Sequence, residues 1–86
     1  MEVWQGNQRV LNQLSSEPFE VEIIQEEAFY LNCHISPRNR THFIETEKIL
    51  AQQGRFEITR PYPGRIRLEL ISASGDVLDQ KILQVN

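Results

Sequence analysis

The sequence predicts a small all-β sandwich, and three observations predict it. Apolar and polar residues take turns with a period of two in three separate runs. Turn-forming residues punctuate the chain at short intervals. The 86 residues suffice for one domain and are too few for two. An apolar fraction of 40% is enough for one modest core.

The elements follow in chain order. Glu2-Val3-Trp4-Gln5 and Gln8-Arg9-Val10-Leu11 flank Gly6-Asn7, a pair suited to a tight turn. The stretch Arg9–Leu14 fits one or two helical turns equally well, and Ser15-Ser16-Glu17-Pro18 ends whatever precedes it. In Pro18–Ile23 apolar and acidic residues alternate, and in Phe29–Ile35 the odd positions are apolar. Folding these two runs onto each other, with Glu26-Glu27-Ala28 as the loop, sets Ile23 opposite Leu31, Val21 opposite Cys33 and Phe19 opposite Ile35. All six residues then share one face. The loop lacks the glycine that such hairpins prefer.

Two readings compete over residues 42–53. Glu45–Gln53 is rich in helix formers and Gly54 suits a helix end, which would make the fold α+β. Glu47 and Lys48 break the apolar face of that helix, so a hairpin turning at Gln53-Gly54 is preferred. It pairs Ala51 with Phe56, Ile49 with Ile58 and Glu47 with Arg60. Pro61-Tyr62-Pro63-Gly64 forms a rigid corner, because two prolines fix φ and glycine permits a sharp entry into the next strand. Arginine or glutamate then alternates with an aliphatic residue in Arg65–Leu70. A turn at Ala73–Asp76 joins Ile66–Ser72 to Val77–Val85, with Leu70 meeting Leu78 and Ile66 meeting Ile82. Leu68 would face Gln80, so a bulge or another register stays open. The total is six to seven strands.

The segment Arg55-Phe56-Glu57-Ile58-Thr59-Arg60-Pro61-Tyr62-Pro63-Gly64-Arg65-Ile66-Arg67-Leu68-Glu69-Leu70, followed by Ser74-Gly75-Asp76-Val77, resembles the last three strands of immunoglobulin-like modules. There a strand opening with Phe leads to a Pro-Gly corner, an alternating strand, a Gly turn and a final strand. The resemblance covers residues 55–86. The paired cysteines and core tryptophan of antibody-type domains are absent. The resemblance implies a sandwich and, as such folds mostly do, a binding role.

Few residues carry chemistry. Cys33 is the sole cysteine, which excludes an internal disulfide and a thiolate metal framework. Its neighbour His34 points to the opposite face of a strand, so it cannot easily activate the thiol. Cys33 therefore reads as a buried structural residue. His34 and His42 match no zinc spacing and read as surface histidines. Glu17, Glu20, Glu22, Glu26 and Glu27 lack the Asp-rich loop of calcium sites and read as a solvated face. Trp4 reads as core filling before interface anchor. No catalytic, metal or cofactor-binding residue is assigned, and an enzyme is not expected.

Charge is segregated along the chain. Residues 1–37 hold six acids and one base, residues 38–67 seven bases and three acids, and residues 68–86 three acids and one base. Six of the seven central bases are arginine. Guanidinium groups suit bidentate contacts to carboxylate or phosphate. Arg38, Arg40, Arg55, Arg65 and Arg67, with Tyr62 stacked beside them, are the candidate binding residues. The expected function is a non-enzymatic protein–protein interaction or assembly module. Its partner is an acidic protein, or the acidic N-terminal half of another copy. The alternative is a small nucleic-acid-binding domain using the same arginines, against which the overall net charge of −3 counts. The opening residues lack a basic segment followed by an apolar run, and no run of about 18 apolar residues occurs. A cytoplasmic location with no membrane partner is expected. The acceptor triplet Asn39-Arg40-Thr41 then carries no meaning.

Overall fold

The computed structural model describes residues 1–51, 54–59 and 63–86, and for Phe56 the backbone alone. Among them nine strands form: β1 (Glu2–Gln5), β2 (Gln8–Val10), β3 (Gln13–Leu14), β4 (Phe19–Ile23), β5 (Ala28–Pro37), β6 (Ile44–Leu50), β7 (Gly54–Ile58), β8 (Gly64–Ser72) and β9 (Val77–Val85). No helix is present among the described residues, so none is long and apolar enough to cross a membrane. The chain is an all-β sandwich of two sheets, in the orders β2-β1-β4-β7 and β3-β9-β8-β5-β6. All neighbours are antiparallel except β3 and β9, which run parallel. The excess over six to seven strands comes from the two- and three-residue pieces β3 and β2.

Alternation decides which side chains meet in the middle. Val3, Phe19, Val21 and Ile23 from one sheet pack against Leu31, Cys33, Ile66, Leu68, Leu70, Leu83 and Val85 from the other. Removing each fully buried aliphatic or aromatic side chain from water is worth roughly 1.5–3 kcal/mol. This shared interior holds the two sheets together. Leu14 is carried into it because the chain crosses from one sheet to the other after Val10, where Asn12 O and Leu14 O accept from Gln84 N and Asn86 N.

The expected faces are correct and several expected neighbours are not. Phe19, Val21, Ile23, Leu31 and Cys33 are buried and Ile35 packs against them. However, β4 pairs with β1 and β7, whereas β5 pairs with β6 and β8. The six residues meet across the interior rather than side by side in a hairpin. Period-two patterning fixes which face is buried but is silent on whether the partner lies beside a strand or opposite it. A glycine-free loop suits an arch between sheets better than a tight hairpin.

Residues 42–53 correct both earlier readings. Ile44–Leu50 is a strand, which overturns the helix, and Gln52 and Gln53 lie outside the described residues. Nor do β6 and β7 form a hairpin, since β6 pairs with β5 and β7 with β4 in the opposite sheet. Cross-strand partners from β5 satisfy β6, with Leu31 opposite Ile49 and Tyr30 opposite Leu50, and this outweighs helix propensity. The expected pairing of Glu47 with Arg60 involves a residue outside the description.

The ends of the chain conform more closely. Gly6 and Asn7 take φ of 57° and 65°, the double left-handed turn that links β1 to β2. The helical alternative for Arg9–Leu14 is thereby replaced by β2 and β3. The β8–β9 hairpin forms with its register moved by one residue: Leu70 faces Asp79, Leu68 faces Lys81 and Ile66 faces Leu83. A shift between Leu70 and Ile71 absorbs the difference. Gly64 opens β8 at φ 125°, where a Cβ would run into the Ser36 carbonyl oxygen. That close approach joins β8 to β5. Pro61 and Tyr62 of the expected corner lie outside the described residues.

Candidate interaction face

Central strand β8 presents Leu68 and Leu70 inward, so Arg65, Arg67 and Glu69 project from the outer face of the five-stranded sheet. Cross-strand pairing surrounds them. His34 on β5 lies opposite Arg67, Asn32 opposite Glu69, and Ile82 on β9 opposite Arg67. The chain leaving β5 returns over this face. Ser36 is buried and its Oγ donates to Arg40 O at 3.1 Å, while Arg40 N donates to Pro37 O at 2.9 Å. This turn delivers Phe43 to the two guanidinium groups, whose carbons lie 5.0 Å (Arg65) and 4.6 Å (Arg67) from the ring centroid. Each such stack is worth about 0.5–1 kcal/mol at an exposed site, and it holds the arginine extended.

The polar neighbours are under-supplied with partners. Glu69 Oε1 lies 3.9 Å from Arg67 Nε and 2.9 Å from His34 Nε2. The His34 approach is close without hydrogen-bond alignment, because neither His34 Nε2 nor Arg67 Nε has an aligned partner. Asn32 Oδ1 is also buried without one. His34 is therefore not a surface histidine: a central position between β8 and β6 and the contact with Glu69 leave its side chain 12% exposed.

The expected site residues divide into three groups. Arg65 and Arg67 come together, and Arg38 and Arg40 are exposed on the turn that follows β5. Arg55 belongs elsewhere. It lies on the outer face of the four-stranded sheet, 4.7 Å over the Trp4 ring, with Nε 3.5 Å from Glu20 and Nη2 3.7 Å from Glu22. Tyr62 lies outside the described residues. Trp4 is not core filling: Val3 takes the inward position, and the Trp4 indole donates to Glu22 Oε1 at 3.2 Å. Phe43 was missed. Its only sequence signal is an aromatic residue just past an arginine-bearing loop, and the contact needs a β5–β8 pairing that neighbouring residues do not announce.

Cys33 is buried, and desolvation, with Glu47 adding to it, pushes its thiol up to about 12. At neutral pH it is a protonated thiol and a poor nucleophile. None of the family models, curated proteins or solved structures compared with the chain matches it.

Proposed function

We propose that the chain is a non-enzymatic interaction module whose arginine-bearing outer face takes an acidic protein surface. One observation carries this reading: two guanidinium groups are held against a single aromatic ring, and among the described residues only Arg67 has a carboxylate, Glu69, within ion-pair reach. The stack pre-pays part of the ordering cost of two long side chains, which favours binding. Arg38 and Arg40 add positive charge around it, and exposed Ile82 adds apolar area. The molecule measures 34 × 30 × 18 Å along its principal axes. A broad face of that size accommodates the roughly 800 Å² per partner of a standard interface. The protonated Cys33 thiol supports the non-enzymatic part of the reading.

An immunoglobulin-like arrangement goes with this proposal. The adjacency of β1, β4 and β7 in one sheet, and of β9, β8 and β5 in the other, supports it. A cytoplasmic location is part of the same reading.

The test is chemical-shift mapping with poly-L-glutamate at low salt. The expected result is saturable change at Phe43, Arg65 and Arg67 with none at Trp4 and Arg55. Shifts spread over both faces, or absent from both, would contradict the proposal. The aromatic flanked by two arginines also suits a stacked base, so a single-stranded oligonucleotide is the competing arm. Tighter binding of the oligonucleotide than of poly-L-glutamate would favour the nucleic-acid reading. Sedimentation at low and high salt reports whether another copy supplies the acidic surface.

A further inference from the structure

A second feature lies on the flank of the sandwich and owes nothing to the arginines. The five-stranded sheet ends in β6 and the four-stranded sheet ends in β7, and between these edges a cavity of about 350 Å³ opens toward the interior. Its apolar lining comes from both sheets: Phe19 and Ile58 from one, and Cys33, Ile35, Ile49 and Ile66 from the other. Ile35, Ile49 and Ile58 are only partly buried, although their strands turn them toward the core. Apolar side chains left open in this way gain by being covered. The volume falls within the range of small-molecule sites.

The mouth of the cavity has a definite charge. Glu47 and Glu57 both border it and both are exposed, but only Glu47 faces the interior side; Glu57 lies opposite Glu20, on the outer face that carries Arg55. Neither has an ion-pair partner among the described residues. The register shift in the β5–β6 pairing sets this up. Glu45 faces His34 and Glu47 faces Cys33, so Thr46 is the extra residue, and its hydroxyl donates to Cys33 O at 3.1 Å. The extra residue keeps Glu47 on the interior side of the edge strand, where its carboxylate is close enough to raise the Cys33 thiol's pKa. Among the described residues that form the lining there is no Lys or Arg.

We propose that this cleft binds a small cationic amphiphile, with its apolar body among Phe19, Ile35, Ile49 and Ile58 and its positive head beside Glu47. Apolar burial supplies most of the affinity, and the Glu47 carboxylate selects the sign of the head group. An anionic molecule with the same tail is rejected, because its head would meet a like charge.

Octylamine and octanoate share a tail length and differ in head charge, so they are the probes. Each is titrated into methyl-labelled protein at neutral pH. Octylamine is expected to give saturable shifts at the Ile49, Ile58 and Ile66 methyls, with Ile82 on the far face unmoved. Octanoate is expected to give none, and the Glu47→Gln variant to bind octylamine at least tenfold more weakly. Equal binding of the two probes, absence of saturable shifts with octylamine, or full retention of affinity in Glu47→Gln would each overturn the proposal. An Ile49→Trp variant, its fold checked by the dispersion of the remaining methyl signals, should fill the cleft and abolish the shifts. Undiminished shifts in that variant would place the probe elsewhere and also overturn it.

Discussion

On the four-stranded sheet, Arg55 lies over Trp4 and reaches two carboxylates, Glu20 and Glu22. On the five-stranded sheet, Arg65 and Arg67 lie over Phe43, and of the two only Arg67 reaches a carboxylate among the described residues, Glu69, which His34 also approaches. Both outer faces use the same device, a guanidinium group laid on an aromatic ring. They differ in how much charge is left over. The first face sets two carboxylates, Glu20 and Glu22, against one arginine, while the second leaves Arg65 without an ion-pair partner among the described residues. A stack of this kind is therefore not itself a binding site. In the proposed reading, what separates the binding face from the other is the count of carboxylates within reach.

The comparison can be broken or sharpened by substitutions taken in order of expected effect. Leu68 alternates with Arg67 on β8 and is fully buried, so Leu68→Ala should cost about 2–5 kcal/mol in urea unfolding. A loss as small as that of an outward neighbour would mean the alternation is not what holds the sheets together. Gly64→Ala places a Cβ against the Ser36 carbonyl at a φ of 125°. About 1–3 kcal/mol is expected from the same measurement, together with disturbance of the loop that positions Phe43.

The interior also sets an alkaline limit. The Cys33 thiol rises from 9.0 to about 12 through burial first and Glu47 second. The unfolded chain ionises at the lower value, so the stability held by the neutral thiol is complete below pH 9 and is lost as pH climbs toward 12. Urea midpoints followed from pH 8 upward should fall, and Cys33→Ala should flatten that fall. The smallest effect is predicted on the acidic face. Arg55→Ala removes exposed ion pairs and one stack, and should change stability by less than about 1 kcal/mol.

What the sequence disclosed follows the range of its signals. Alternation reads locally, so the inward faces of Phe19–Ile23, Leu31–Ile35 and Ile66–Leu70 were legible without any partner being known. The Gly6-Asn7 turn was legible because two adjacent residues had to accept positive φ. Strand order was not, because β4 and β5 satisfy the same pattern as hairpin mates or as opposite walls. The β6 segment carried helix-forming residues that only its β5 partner could override. The site suffered most from this. Arg55 and Arg67 are both outward arginines on alternating strands, and only sheet membership reveals that they face opposite ways.

The most direct test of the account compares charge reversals on the two faces. Binding of poly-L-glutamate is measured at low salt for the parent protein, for Arg65→Glu/Arg67→Glu and for Arg55→Glu. The account predicts at least a tenfold loss of affinity in the double variant and no loss in the single one. Equal losses in the two, or a loss confined to Arg55→Glu, would contradict it.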